Sequence, residues 1–97
     1  MQVSVTGMAW YRPKDYDRLK ALFTDGWKLP DTFNEWLSSA QAMYDGLTKQ
    51  GHAVQQAFIN PDKIPEWCRG RGMEMNAQAR MEYAAEYVKN YTVKRNS

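Results

Sequence analysis

The residues with chemistry to offer are few: the single cysteine Cys68, the single histidine His52, and the arginines Arg69, Arg71 and Arg80. A nucleophilic thiol needs a nearby cation or helix N-terminus to lower its pKa, and a base to take its proton. The run IPEWCRGRG at residues 64–72 supplies the cations. It also sets Ile64, Trp67 and Cys68 at i, i+3 and i+4, which turns the thiol inward beside the tryptophan. Cys68 falls near the C-terminal end of that helix, where the dipole disfavours a thiolate. A packed structural cysteine is therefore expected. His52 follows Gly51 at the start of a strand-like run, and nothing in the spacing brings it to Cys68. One histidine and one cysteine do not make a zinc site, and the carboxylates are scattered singly. Glycine-rich phosphate loops, HExxH and GxSxG are absent from the sequence. The expectation is no catalytic residue, no metal and no cofactor, with a cysteine-dependent enzyme as the remote alternative.

The arginines allow two further readings. Arg-Gly steps contact phosphate in flexible nucleic-acid-binding segments, but those repeat many times. Two copies are better explained by Gly70 or Gly72 closing a short helix while Arg69 and Arg71 complement its negative end. In the last helical segment Ala77, Met81, Ala84 and Val88 form the expected apolar centre, with Glu82, Glu86 and Lys89 opposite. Along one flank run Arg80, Tyr83, Tyr87, Tyr91 and Lys94, with no acid among them. Tyrosine and arginine are enriched at interface hot spots and also suit single-stranded nucleic acid. Arg80, Tyr83, Tyr87, Tyr91, Arg69 and Arg71 are thus the candidate binding residues. The plainer reading packs the rings on neighbouring helices and pairs Arg80 with an acid of the preceding helix, Asp62 or Glu66.

The elements that must position these residues can be read in order. MQVSVTGMAW alternates as one strand interrupted by a glycine bulge at Gly7 and ended by Pro13. Tyr16, Leu19, Leu22 and Phe23 then recur at helical spacing. Thr32 and Glu35 form a capping box for a helix whose apolar stripe is Phe33, Trp36, Leu37, Ala40, Tyr44 and Leu47, closed by Gly51. HAVQQAFINP reads as a second strand, followed by the short helix around Cys68 and a last helix capped by Asn76 and running to about Tyr91. The fold class is α/β: a small, mostly parallel sheet of two to four strands with about four helices, in the order β-α-α-β-α-α. Residues 1–97 read as one domain, with 1–7 a leader or edge strand and 92–97 a frayed basic tail. Two strands alone make a marginal sheet, so further strands come from the N-terminal segment or from a second copy added at an exposed edge.

Bulk properties agree with one folded domain. Hydrophobic residues are 43% and aromatics 13% of the 97, which places the chain outside the disordered regime. A net charge of +2 is too weak to call for an anionic partner. A lone cysteine forms no internal disulfide, and neither a secretory leader nor a spanning apolar run is legible, so a cytoplasmic protein with no membrane association is expected.

The stretches WYRPKDYDRLKALFTDGWKLPDTFNEW, INPDKIPEWCRGRG and NAQARMEYAAEY resemble a set of short bacterial proteins without an assigned activity. The resemblance covers residues 10–87 and rests on Trp10, Tyr11, Tyr16, Leu29, Pro30, Trp36, Trp67, Cys68, Gly72, Ala79 and Arg80. It implies no chemistry. The expected function is an accessory protein-interaction module of bacterial origin, homodimeric and non-enzymatic, with self-association and an unknown protein partner expected; the alternative is a nucleic-acid-binding regulator using the Tyr/Arg flank and the RGRG loop.

Overall fold

The computed structural model describes residues 5–96, with the side chains of residues 5–89. Residues 1–4, Ser97 and the side chain of Tyr91 lie outside that description, and with them most of the expected leader and the side chains of the basic tail. Strand β1 (Val5–Trp10) leads into α1 (Pro13–Leu22), a 3-10 turn (Gly26–Lys28) and α2 (Phe33–Lys49); β2 (Ala53–Phe58), α3 (Ile64–Gly70) and α4 (Ala77–Asn96) follow. The expected β-α-α-β-α-α order and parallel pairing are found. Among the described residues the sheet has two strands, in register from Val5 opposite Ala53 to Trp10 opposite Phe58.

Local signals set the ends of the elements. The Thr32 hydroxyl oxygen accepts from the Glu35 amide and donates to the Glu35 carboxylate, and Thr32 therefore caps α2. Gly51, at φ 94°, lets the His52 amide return to the Leu47 carbonyl. Gly72 does the same for α3 at φ 64°, with the Met73 amide on the Cys68 carbonyl. Asn76 caps α4 by accepting from the Ala79 amide. The helix continues to Asn96, past the end expected at Tyr91.

The two faces of the sheet are built differently. Trp10 stands edge-on to Trp36 and Tyr44 of α2, opening an aromatic core that continues through Tyr11, Tyr16 and Phe33. Small residues meet on the opposite face, where Gly7, Ala9 and Ala57 lie against α4. A Cβ on Gly7 would run into the Ala84 carbonyl oxygen and come within 2.8 Å of Val88 Cγ2. Gly7 is thus not a bulge, since the register passes through it unbroken. Close approach of the helix is what requires a glycine there.

The inward arc of α4 also departs from its apolar pattern. Ala79, Ala84 and Val88 are buried, whereas Met81 is 71% exposed and Ala77 is exposed too. The helix is rotated so that Arg80 and Tyr83, the expected free flank, lie between the buried positions. Counting apolar residues misses this because a charged residue can face inward once its charge is compensated.

Candidate functional site

The candidate binding residues do not form one surface. Arg71 reaches across from the end of α3 to Glu86 of α4, with guanidinium–carboxylate distances of 2.8 and 3.0 Å, and lies 4.2 Å above the Trp67 ring. Tyr83 stands edge-on to the same tryptophan, and Tyr87 joins them around a shallow depression. Burial pushes the Tyr83 hydroxyl above its usual pKa. Arg71, Tyr83 and Tyr87 therefore meet around Trp67, a residue the sequence reading placed in the core, while Arg69 is exposed on α3.

Arg80 belongs elsewhere. Its guanidinium lies on both oxygens of Asp25, at 2.7 and 3.1 Å, and 4.6 Å from the Phe23 ring centroid. Asp25 also accepts from the Ala77 amide in the first turn of α4, where the helix dipole favours an anion. The Arg80 bond holds the Asp25 carboxyl below its ordinary range. The acids named from the sequence are engaged differently or not at all: Asp62 pairs with Arg18, at 2.7 Å, and neither Asp62 nor Glu66 takes Arg80. Asp25 and Arg80 are far apart in the chain, and no local spacing joins them. They meet because the Thr24 amide bonds the Met75 carbonyl and docks the end of α1 on the start of α4.

Cys68 is 1% exposed within the core, and burial pushes its thiol up in pKa despite the nearby Arg71. That environment withholds the thiolate that nucleophilic chemistry needs. His52 is exposed in the turn before β2. Among the described residues no three His, Cys, Asp or Glu side chains gather as a metal site, and no helix is long and apolar enough to cross a membrane.

A concavity opens along the free edge of β1. It holds about 470 Å³, within the range of roughly 300–1,000 Å³ usual for binding pockets. Gly7, Met8 and Ala9 form its floor. Trp36, Ser39, Ala40 and Met43, spaced as one face of α2, make one wall; Ala77, Arg80 and Met81 of α4 make the other. Met43 and Met81 are large apolar side chains left 60% and 71% exposed on the two rims. Arg80 brings the lining its charge, and Asp25 already balances it.

Backbone direction gives this groove its chemistry. The Trp10 carbonyl accepts from the Ile59 amide, so Trp10 and, by alternation, Met8 aim their backbone groups at β2. Gly7 and Ala9 therefore aim their N–H and C=O at the open edge. Among the described residues nothing bonds them. The outer edge of β2 differs, because the Gln56 carbonyl there accepts from the Gln55 side-chain amide and Arg12 lies over Phe58. An apolar trough with unpaired strand amides and carbonyls at its base is suited to receive an extended chain. An exposed edge is expected from the sequence, but of the residues lining this groove only Arg80 is among the candidate binding residues, and it is paired with Asp25. Met81 is hidden from sequence because it falls in the apolar pattern of α4 that reads as core, whereas Met43 lies outside the apolar stripe expected for α2 and could have been flagged as an exposed apolar residue.

Comparison with known proteins finds no matching family model, no matching curated protein and no matching solved structure.

Proposed function

We propose that this protein is a non-enzymatic interaction module that binds by accepting a strand at the open edge of β1, and that its first use of that edge is self-association as a homodimer. The observation that carries the reading is the unpaired backbone of Gly7 and Ala9 at the base of the apolar groove. Strand addition gains affinity from main-chain hydrogen bonds and specificity from the side chains lining the trough. A cysteine-dependent enzyme draws no support from a buried Cys68 with a raised pKa, and the nucleic-acid reading has Arg71 and Arg80 already paired with carboxylates. A cytoplasmic setting belongs to the same proposal.

The test is light scattering across a concentration series for the wild type and for the Met43→Lys/Met81→Lys double variant. Both methionines are exposed, so thermal stability should hold while like charges collect on the rims of the groove. The wild type is expected to reach dimer mass and the double variant to stay monomeric. A wild type that remains monomeric at high concentration overturns self-association, and a double variant that dimerises as well as the wild type removes the groove from it.

A further inference from the structure

We infer that the occupant of the groove is the β1 strand of a second copy, running antiparallel about a two-fold axis at Met8, so that the strands order β2-β1-β1-β2 across the dimer. This rests on the strand-addition reading and adds which strand enters, its direction and its register. Three observations lead to it.

The unpaired groups come first. Antiparallel neighbours that face each other exchange both N–H···O=C bonds. With the axis at Met8, Gly7 stands opposite the partner's Ala9, and Ala9 opposite the partner's Gly7. Every outward backbone group on the floor of the groove then finds a partner. Moving the axis to Gly7 would set Val5 opposite the partner's Ala9 and shift the contact toward Val5, beyond the lining of the groove.

The second observation concerns the walls. An axis normal to the sheet keeps its faces, so α2 approaches the partner's α2 on one side and α4 the partner's α4 on the other. The groove has an exposed methionine on each wall, Met43 and Met81. Each is positioned to cover the entering strand from its own face, and methionine adapts readily to such irregular surfaces. Among the described residues the one charge in the lining, Arg80, is already balanced by Asp25, so the groove itself sets no uncompensated charge against its copy.

The third is the other edge. A head-to-tail assembly would join β1 of one copy to β2 of the next, giving a ring or an open filament and needing both edges free. The Gln56 carbonyl on the outer edge of β2 is taken by Gln55, which weakens that edge as an acceptor. The like-with-like β1 contact remains, and it closes at two copies.

Disulfide trapping tests the register. Opposed residues that do not exchange hydrogen bonds have Cα atoms about 4.5 Å apart in antiparallel pairs, inside the roughly 4.4–6.8 Å span of a disulfide. Met8→Cys is therefore expected to give covalent dimer as the main product of mild oxidation, while buried Cys68 does not compete. Thr6→Cys is expected to give almost none, because the axis at Met8 leaves the two Thr6 positions about 13 Å apart. Since Met8 is half-buried, mixed labelled and unlabelled wild-type chains provide a second readout: an intermolecular contact between the Met8 Hα of one chain and that of the partner. Dimer mass together with crosslinking only in a Met8→Cys and Thr6→Cys mixture, or without the Met8 Hα contact, overturns the register and leaves strand addition standing. Monomer mass with no crosslink in any variant overturns both.

Discussion

The two edges of the sheet belong to strands of equal length in one continuous register, yet they present opposite surfaces. On β2 a glutamine folds onto the carbonyl next to it and an arginine lies over Phe58. On β1 the backbone is unpaired among the described residues and lies between two helices whose large exposed side chains at that point are Met43 and Met81. Soluble proteins ordinarily blunt a bare edge with charge, proline or a bulge. Here one edge is blunted and the other carries small residues and an apolar frame. The contrast teaches that composition alone does not make an edge adhesive; what matters is whether nearby side chains reach back to satisfy its backbone.

The comparison can be broken most forcefully at Asp25. Asp25→Ala leaves the Arg80 guanidinium uncompensated in the wall of the β1 groove, which makes that groove cationic and destabilises the fold by about 3 kcal/mol. Thermal melts check the stability, and light scattering should show weaker self-association as well. The pH dependence carries the sign of a lowered carboxyl pKa. The contribution of Asp25 is complete above its ordinary value of 3.8 and is lost as pH falls through the lower folded value, so the stability gap between wild type and variant should narrow in acid.

A smaller effect is expected at Gly7. Gly7→Ala drives a methyl into the Ala84 carbonyl, pushes α4 off the sheet and should cost about 1–3 kcal/mol by chemical denaturation. The smallest belongs to the blunted edge. Gln55→Ala frees the Gln56 carbonyl, and stability should change by less than about 1 kcal/mol with dimerisation unaltered. If that substitution instead produced larger assemblies, the glutamine would be the device that keeps β2 closed.

What the sequence made legible was local. Thr32 with Glu35, Gly51, Gly72 and Asn76 each act within a few residues of themselves, and all four cap the elements assigned to them. Parallel pairing followed from the helical crossover between two strand-like runs, and the inward turn of Cys68 followed from its spacing. The contacts that shape the groove are distant in the chain. Gly7 reads as a bulge until α4 is seen against it, and Arg80 reads as a free flank until Asp25 arrives from the far side of α2. Met81 was assigned to the core because periodicity records where apolar residues recur, not which face a distant ion pair draws inward.

Amide hydrogen exchange followed residue by residue at low and high protein concentration tests the central claim most directly. Met8 and Trp10, whose amides face β2, should be protected throughout. Gly7 and Ala9 should exchange quickly when dilute and become protected as concentration rises, while the outward amides of Gln56 and Phe58 on β2 stay unchanged. Gly7 and Ala9 amides that exchange equally fast at both concentrations would contradict the account of β1 as the binding edge.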